Sequence, residues 1–187
     1  MQNQRLFVAI KPSNEVLEAI KNYQENCLRH PAFRITEKEN LHLTIAFLGY
    51  TKEEETPKVM EILESLSQKY KSFEIQFDFF KYGPNPKSPR LIWLEGKAPI
   101  ELLSLKKDLE QELEKNKILF SKEERDFKSH ITVARIQKDK RFPLPSYQDI
   151  QKKVNLKFLA DSLILMESHL KPTGAQYSEL KVFDFKN

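Results

Sequence analysis

The sequence predicts an α+β fold of two β-α-β lobes related by approximate twofold symmetry, with helices outside and two histidine-bearing strands face to face. Three observations predict it. Short apolar runs alternate along the chain with amphipathic stretches at helical spacing. The order strand, helix, strand occurs twice: Arg5-Leu6 opens one copy and Arg90-Leu91 the other. Each copy ends on a strand that begins His-x-Thr, 37 residues after Arg5 in the first and 40 after Arg90 in the second. Such an order is what a duplication leaves; a chance repeat in an ordinary α+β chain is the alternative.

The elements follow in order. Leu6 to Ile10 is continuously apolar and reads as a buried strand. Pro12-Ser13 opens a helix to about Leu28, with Val16, Leu17, Ile20, Tyr23 and Cys27 on one face. Leu41 to Leu48 is the next strand, closed by Gly49, and Thr51 with Glu54 fits a capping box. The helix it starts carries Val59, Leu63, Leu66 and Tyr70 inward. Phe73, Ile75, Phe77 and Phe79 alternate with polar residues, the period of a half-buried strand. Residues 82 to 90 hold three prolines and a glycine and read as a linker. Leu91 to Leu94 is a strand, and Pro99 starts a helix to about Lys117 with Leu102, Leu105, Leu109 and Leu113 inward. His130 to Ile136 is a strand. Regularity breaks at Phe142 to Pro145, and a short helix is expected over Tyr147 to Lys152. Val154 to Met166 and Tyr177 to Phe185 read as the last strands, joined through Pro172-Thr173-Gly174. The chain is thus expected to form a single domain over 1–187, with lobes of roughly 1–81 and 90–187 whose terminal strands are free to exchange.

Composition narrows the chemistry. The chain has 187 residues, 40% of them hydrophobic, enough for a core without staples. With only four glycines and no G-x-G-x-x-G or Walker loop, a glycine-rich phosphate cradle is not expected. A formal charge of +4 leans toward a polyanionic partner, RNA included. Cys27 is the one cysteine, which rules out an internal disulfide and clustered-cysteine metal sites and reads as a small core residue. No signal-peptide pattern and no membrane-length apolar run is present, so a cytoplasmic protein without membrane contact is expected. A monomer is the default.

The chemistry rests on the two His-x-Thr motifs. Residues i and i+2 of a strand share a face, so His42 projects with Thr44 and His130 with Thr132, while Leu43 and Ile131 point into the core. Chance placement of the chain's histidines and threonines would yield about 0.13 such motifs, and two are present at matching places. The rival reading is a pair of core histidines beside strand threonines. Two imidazoles, without a nucleophilic serine or clustered carboxylates, suit in-line displacement at phosphorus: one takes the proton of the attacking oxygen and the other protonates the leaving oxygen. The threonine hydroxyls would hold the nonbridging oxygens. No His-x-Glu or carboxylate pattern accompanies the histidines, so zinc is not expected. His30 reads as a surface residue and His169 as an end-region residue without a role. Tyr82, Phe80 and Trp93 are candidates to stack a base, with core packing the simpler reading for Trp93 and Phe80.

The segments NLHLTIAFLG (Asn40 to Gly49) and SHITVAR (Ser129 to Arg135) closely resemble the two signature motifs of the two-histidine phosphoesterases. Within that superfamily the chain resembles the bacterial and archaeal RNA 2',3'-cyclic phosphodiesterases, once called 2'-5' RNA ligases. The resemblance extends to RLFVAI at the start, SPRLIWL after the linker and ESHLKPTGAQYSEL near the end. It implies antiparallel-rich sheets facing each other across a central cleft. It also implies hydrolysis of 2',3'-cyclic phosphate ends of RNA or of cyclic nucleotides to 2'-phosphomonoesters, without cofactor or metal. In that chemistry His42 would be the proton donor to the 3'-oxygen and His130 the proton acceptor from water. Thr44, Thr132 and Arg135 would bind the phosphate. On a regular strand Arg135 has the parity of Ile131 and Val133, so only a bulge or strand end would aim it at the site. The same site can run backward and join RNA ends through 2'-5' linkages. A nucleotide-binding module without turnover is the rival from a different class.

Overall fold

The computed structural model describes residues 3–122, 126–137, 143–171 and 174–186. Its strands are β1 (Asn3–Ile10), β2 (Phe33–Ile35), β3 (Leu43–Lys52), β4 (Phe73–Gly83), β5 (Leu91–Gly96), β6 (Ser129–Ile136), β7 (Lys152–Ala160), β8 (Ser162–Lys171) and β9 (Gly174–Asp184). The helices are α1 (Asn14–Cys27), α2 (Thr56–Lys69), α3 (Ile100–Lys115) and the single turn α4 (Tyr147–Ile150). The strands run β7-β4-β5-β6-β3-β1-β8-β9, with β2 also on β6. Every named pairing is antiparallel.

The expected α+β, two-lobed architecture is present as two four-stranded arrays in one curled sheet. The joint between them is narrow: β3 and β6 share one register pair, Leu43 against Ile131. The sequence halves interleave across it. β4 hydrogen-bonds to β5 and β7, whereas β8 pairs with β1 and carries β9 outside it.

One face of the sheet buries the main core. Leu6, Val8 and Ile10 of β1, Leu43 and Ile45 of β3, and Ile131 and Val133 of β6 pack there with Val16 and Ile20 of α1, Leu63 and Leu66 of α2, and Leu105 and Leu109 of α3. These are the helix faces that the sequence periodicity marks, and Cys27 packs at the edge of this core. A continuously apolar strand such as β1 needs cover on its other face as well. There Phe7 and Ala9 join Ile164 and Met166 of β8 in a smaller cluster, with Tyr177 of β9 against it.

Several expected boundaries move. Gly49 does not close its strand: β3 continues to Lys52 around a bulge between Phe47 and Gly49. The Thr51–Glu54 capping box does not form. Thr51 is buried with its hydroxyl unpartnered, and Glu55 instead accepts the Lys52 backbone N–H at 3.0 Å. β4 runs into the expected linker as far as Gly83, which shortens the linker. The strand expected over Val154 to Met166 is two, β7 and β8, interrupted at Asp161, where the chain passes from pairing with β4 to pairing with β1. Three-residue β2 has too short an apolar pattern to be read from sequence. Phe142 and the Pro172-Thr173 connection lie outside the described residues.

Packing is tightest where β5 meets β4. A Cβ on Gly96 would stand 2.0 Å from the Gln76 carbonyl oxygen and 2.8 Å from Phe77 Cα, both backbone atoms that cannot rotate away. Gly96→Ala should therefore lower the folding free energy by about 2 kcal/mol or more. Chemical denaturation should show it as a fall in midpoint at unchanged slope.

Candidate active site

The seam between the arrays assembles the site. With Leu43 opposite Ile131 in antiparallel register, the neighbouring positions set His42 against Thr132 and Thr44 against His130. Leu43 and Ile131 are fully buried in the core. The alternation of a strand then turns His42, Thr44, His130 and Thr132 to the opposite face, where all four are half-buried. The geometry brings the four sequence-predicted side chains together.

Each imidazole is held the same way. His42 Nδ1 lies 2.8 Å from the Asn40 carbonyl oxygen, and His130 Nδ1 lies 3.0 Å from that of Lys128. A carbonyl only accepts, so each Nδ1 carries the proton and donates it. Nε2 is left as the working nitrogen on both rings.

The residue after each threonine is a bulge. β1 pairs Val8 with Ala46 and Ala9 with Thr44, which skips Ile45. β5 pairs Ile92 with Ala134 and Trp93 with Thr132, which skips Val133. Two adjacent residues are consequently buried in each strand, Ile45-Ala46 and Val133-Ala134, and the face inverts after them. Arg135 thereby gains the face of His130 and Thr132, against the parity of a regular strand. Phe47 gains the face of His42 and is 53% exposed. The symmetric halves thus put an arginine and a phenylalanine at equivalent places.

At each bulge a helix side chain donates to the carbonyl of the skipped residue, and the Val133 carbonyl also accepts the Thr36 backbone N–H at 3.1 Å. The Val133 carbonyl accepts Gln24 Nε2 of α1 at 2.9 Å, a nitrogen that also donates to the Thr36 carbonyl at 2.9 Å. The Ile45 carbonyl accepts Nζ of Lys106, a buried α3 lysine, at 3.1 Å, and Lys106 pairs with Glu110 at 2.5 Å. Sequence reading missed both, since Gln24 and Lys106 look like ordinary polar residues on amphipathic helices. It also missed Arg34 of β2, which stands opposite Arg135.

The two histidines have different neighbours. His42 packs on Phe7 (ring centroids 4.8 Å apart) and takes the edge of Tyr177 (5.0 Å, interplanar angle 89°). Burial pushes its pKa down to about 4. The charges of His130 and Arg135 lower it further, against the Asn40 hydrogen bond, which raises it. His130 instead lies against the Trp93 ring at 4.1 Å and beside Glu95, its register partner on β5. Trp93 is therefore not a core residue, contrary to the simpler sequence reading. Phe80 and Tyr82 are buried: Phe80 stacks on Tyr23 at 3.8 Å, and the Tyr82 hydroxyl donates to the Pro145 carbonyl at 2.9 Å. Neither offers a face to a base. His30 packs near Phe33, and His169 meets Ser178 on the β8–β9 hairpin. Among the described residues, no group of three or more His, Cys, Asp or Glu side chains could hold a metal ion. No described helix is long and apolar enough to cross a membrane.

Comparison with known proteins bears on this arrangement. The family model described as LigT-like phosphoesterase matches residues 10–93. The chain is 31% identical over 184 residues to the RNA 2',3'-cyclic phosphodiesterase of Archaeoglobus fulgidus, covering 96% of this chain and 99% of that protein. It is 30% identical over 182 residues to the protein of the same name from Methanocaldococcus jannaschii, covering 95% and 98%. Among solved structures, TT0787 of Thermus thermophilus superposes with a TM-score of 0.85 at 27% identity, covering 97% of each chain.

Two outcomes follow from the geometry. Lys106→Met strands the Ile45 carbonyl and should cost about 1–3 kcal/mol in equilibrium unfolding. The His42 ring should stay neutral, with its proton on Nδ1, well below pH 6 in a ¹⁵N NMR titration. Its folded pKa lies below the unfolded value of ~6.5. The unfolded chain therefore binds the proton more tightly, and the contribution to stability is lost as pH falls from ~6.5 toward 4.

Proposed function

The chain belongs to the LigT-like family of phosphoesterases, and on that premise we propose that it hydrolyses 2',3'-cyclic phosphate ends of RNA to 2'-phosphomonoesters. Full-length relatives named RNA 2',3'-cyclic phosphodiesterase support the activity. The observation that carries the mechanism is the pair of cross-strand His/Thr couples on one face, each imidazole held through Nδ1 by a backbone carbonyl.

In the proposed step, His130 Nε2 takes a proton from water as its oxygen attacks phosphorus. The P–O3' bond breaks in line, and His42 Nε2 gives its proton to O3'. Each transfer contributes roughly 10²–10⁴-fold. Thr44 and Thr132 donate hydroxyl hydrogen bonds to the nonbridging oxygens, and Arg135 meets the charge that gathers on them. The step leaves His130 protonated and His42 neutral, and exchange with water resets the pair. No metal or cofactor enters it.

The donor role fits the setting of His42. A ring whose charged form is disfavoured by burial is a strong acid once protonated. The anionic phosphodiester brings a negative charge beside it and favours loading the proton. A 5'-hydroxyl in place of water would give a 2'-5' linkage through the same transition state, so ligation is the companion reaction. The substrate class is RNA ends and cyclic nucleotides, met by a chain of net charge +4. We take the protein to act as a cytoplasmic monomer, since its single cysteine requires no oxidising compartment.

His42→Ala and His130→Ala should each lower kcat on 2',3'-cyclic AMP by at least about 100-fold, while EDTA leaves the wild type unchanged. Both kcat and kcat/KM should be bell-shaped in pH. The kcat bell should lie at higher pH, because bound phosphate favours both imidazolium forms. Full activity in either variant, or loss of activity in EDTA, would sink the mechanism. Nucleotide binding without turnover would favour the binding module.

A further inference from the structure

We propose that Trp93 is a positioning residue for His130: the indole holds the imidazole plane and stabilises the imidazolium formed when that ring takes a proton. The proposal rests on the reading above for its place in the reaction, but its physical content is separate.

The ring centroids of Trp93 and His130 are 4.1 Å apart at an interplanar angle of 32°, near enough to parallel for the imidazole to lie over the indole face. A cation over an indole face is attracted by the ring quadrupole, more strongly than over phenyl. The stack is built in. Trp93 also lies against Gly83 of the neighbouring strand β4, where a Cβ would stand 2.5 Å from indole Cδ2. Only a glycine there admits the ring at this depth. The register adds a second fix, because Trp93 pairs with Thr132, two residues from His130 on the same face.

The equivalent place beside the other histidine holds Ala9, which pairs with Thr44. His42 has Phe7 and Tyr177 around it instead, an enclosure that favours the neutral ring. The halves are alike in backbone and unlike in this one respect. Pairs of titratable groups whose surroundings differ in this way divide the acid and base roles between them. Other charges face His130 as well. Glu95 is its cross-strand partner, and that carboxylate is paired to Lys81 at 3.1 Å and Lys128 at 3.5 Å. His42 and Arg135 stand across the seam and on the same strand. Glu95 shares its charge with two lysines, so the indole adds an attraction for a charged ring that no other group pairs with.

Trp93 is the only tryptophan in the chain, so tryptophan emission, excited selectively over tyrosine, reports on the surroundings of this one ring. An imidazolium stacked on indole quenches its fluorescence, and a neutral imidazole does so far less. The wild type should lose emission on acidification with a midpoint that disappears in His130→Gln and persists in His42→Gln. This arm needs no substrate, so it stands or falls independently of the proposed activity. In the kinetic arm, Trp93→Leu should lower kcat on 2',3'-cyclic AMP about 5- to 30-fold with KM changed less than twofold, and Trp93→Phe should recover most of the loss. An emission titration that survives in His130→Gln would overturn the proposal, whether or not Trp93→Leu folds. So would a folded Trp93→Leu with wild-type kcat, or with its whole effect in KM.

Discussion

Everything at the site depends on a single backbone register, Leu43 against Ile131, where two four-stranded arrays touch. Side chains alternate along a strand, so burying those two residues turns their neighbours on both sides outward together. Slipping either strand by one residue would bury that strand's histidine and expose its leucine or isoleucine instead. The core that holds this register lies on the helix side, where Leu43, Ile45, Ile131 and Val133 share cover from α1, α2 and α3. The hydrophobic effect is thus what aims the imidazoles. Hydrogen bonds from Nδ1 to the Asn40 and Lys128 carbonyls only finish the task, fixing each tautomer.

The bulges at Ile45 and Val133 are the second device, and their cost is a broken ladder. Gln24 and Lys106 reach from helices to the carbonyls of the skipped residues, so an irregularity in the sheet is braced from its covered side. What is gained is a change of face one step beyond each motif. Arg135 arrives on the face of His130 and Thr132, and Phe47 on the face of His42 and Thr44. Approximate symmetry supplies the frame, and the departures from it supply the direction. Phe7 and Tyr177 enclose one histidine, while Trp93 underlies the other.

Much of this was legible in the sequence, for local reasons. Helical spacing in α1, α2 and α3 named the inward residues that pack in the core, and the apolar runs named β1, β3, β5 and β6. The paired His-x-Thr strands located the four central side chains. What escaped depended on a partner strand. A bulge is a relation between two strands, so Ile45 and Val133 look like ordinary strand residues in isolation. At Asp161 the chain changes partner from β4 to β1, a switch that hydrophobicity does not mark, and β2 is too short for any period. Trp93 reads as core from LIWL, because nothing in that run reveals that the next strand brings a histidine over its face. Gly83 holds the only clue, and it becomes one only once β4 and β5 are paired.

In the proposed mechanism His42 gives a proton to O3' and His130 takes one from water, and that order decides which ester bond breaks. A short oligonucleotide ending in a 2',3'-cyclic phosphate, hydrolysed by the intact protein and followed by ³¹P NMR, reads that bond directly. A 2'-phosphomonoester is expected as the sole product. A 3'-phosphomonoester, a mixture of the two, or an unreacted end would contradict this assignment.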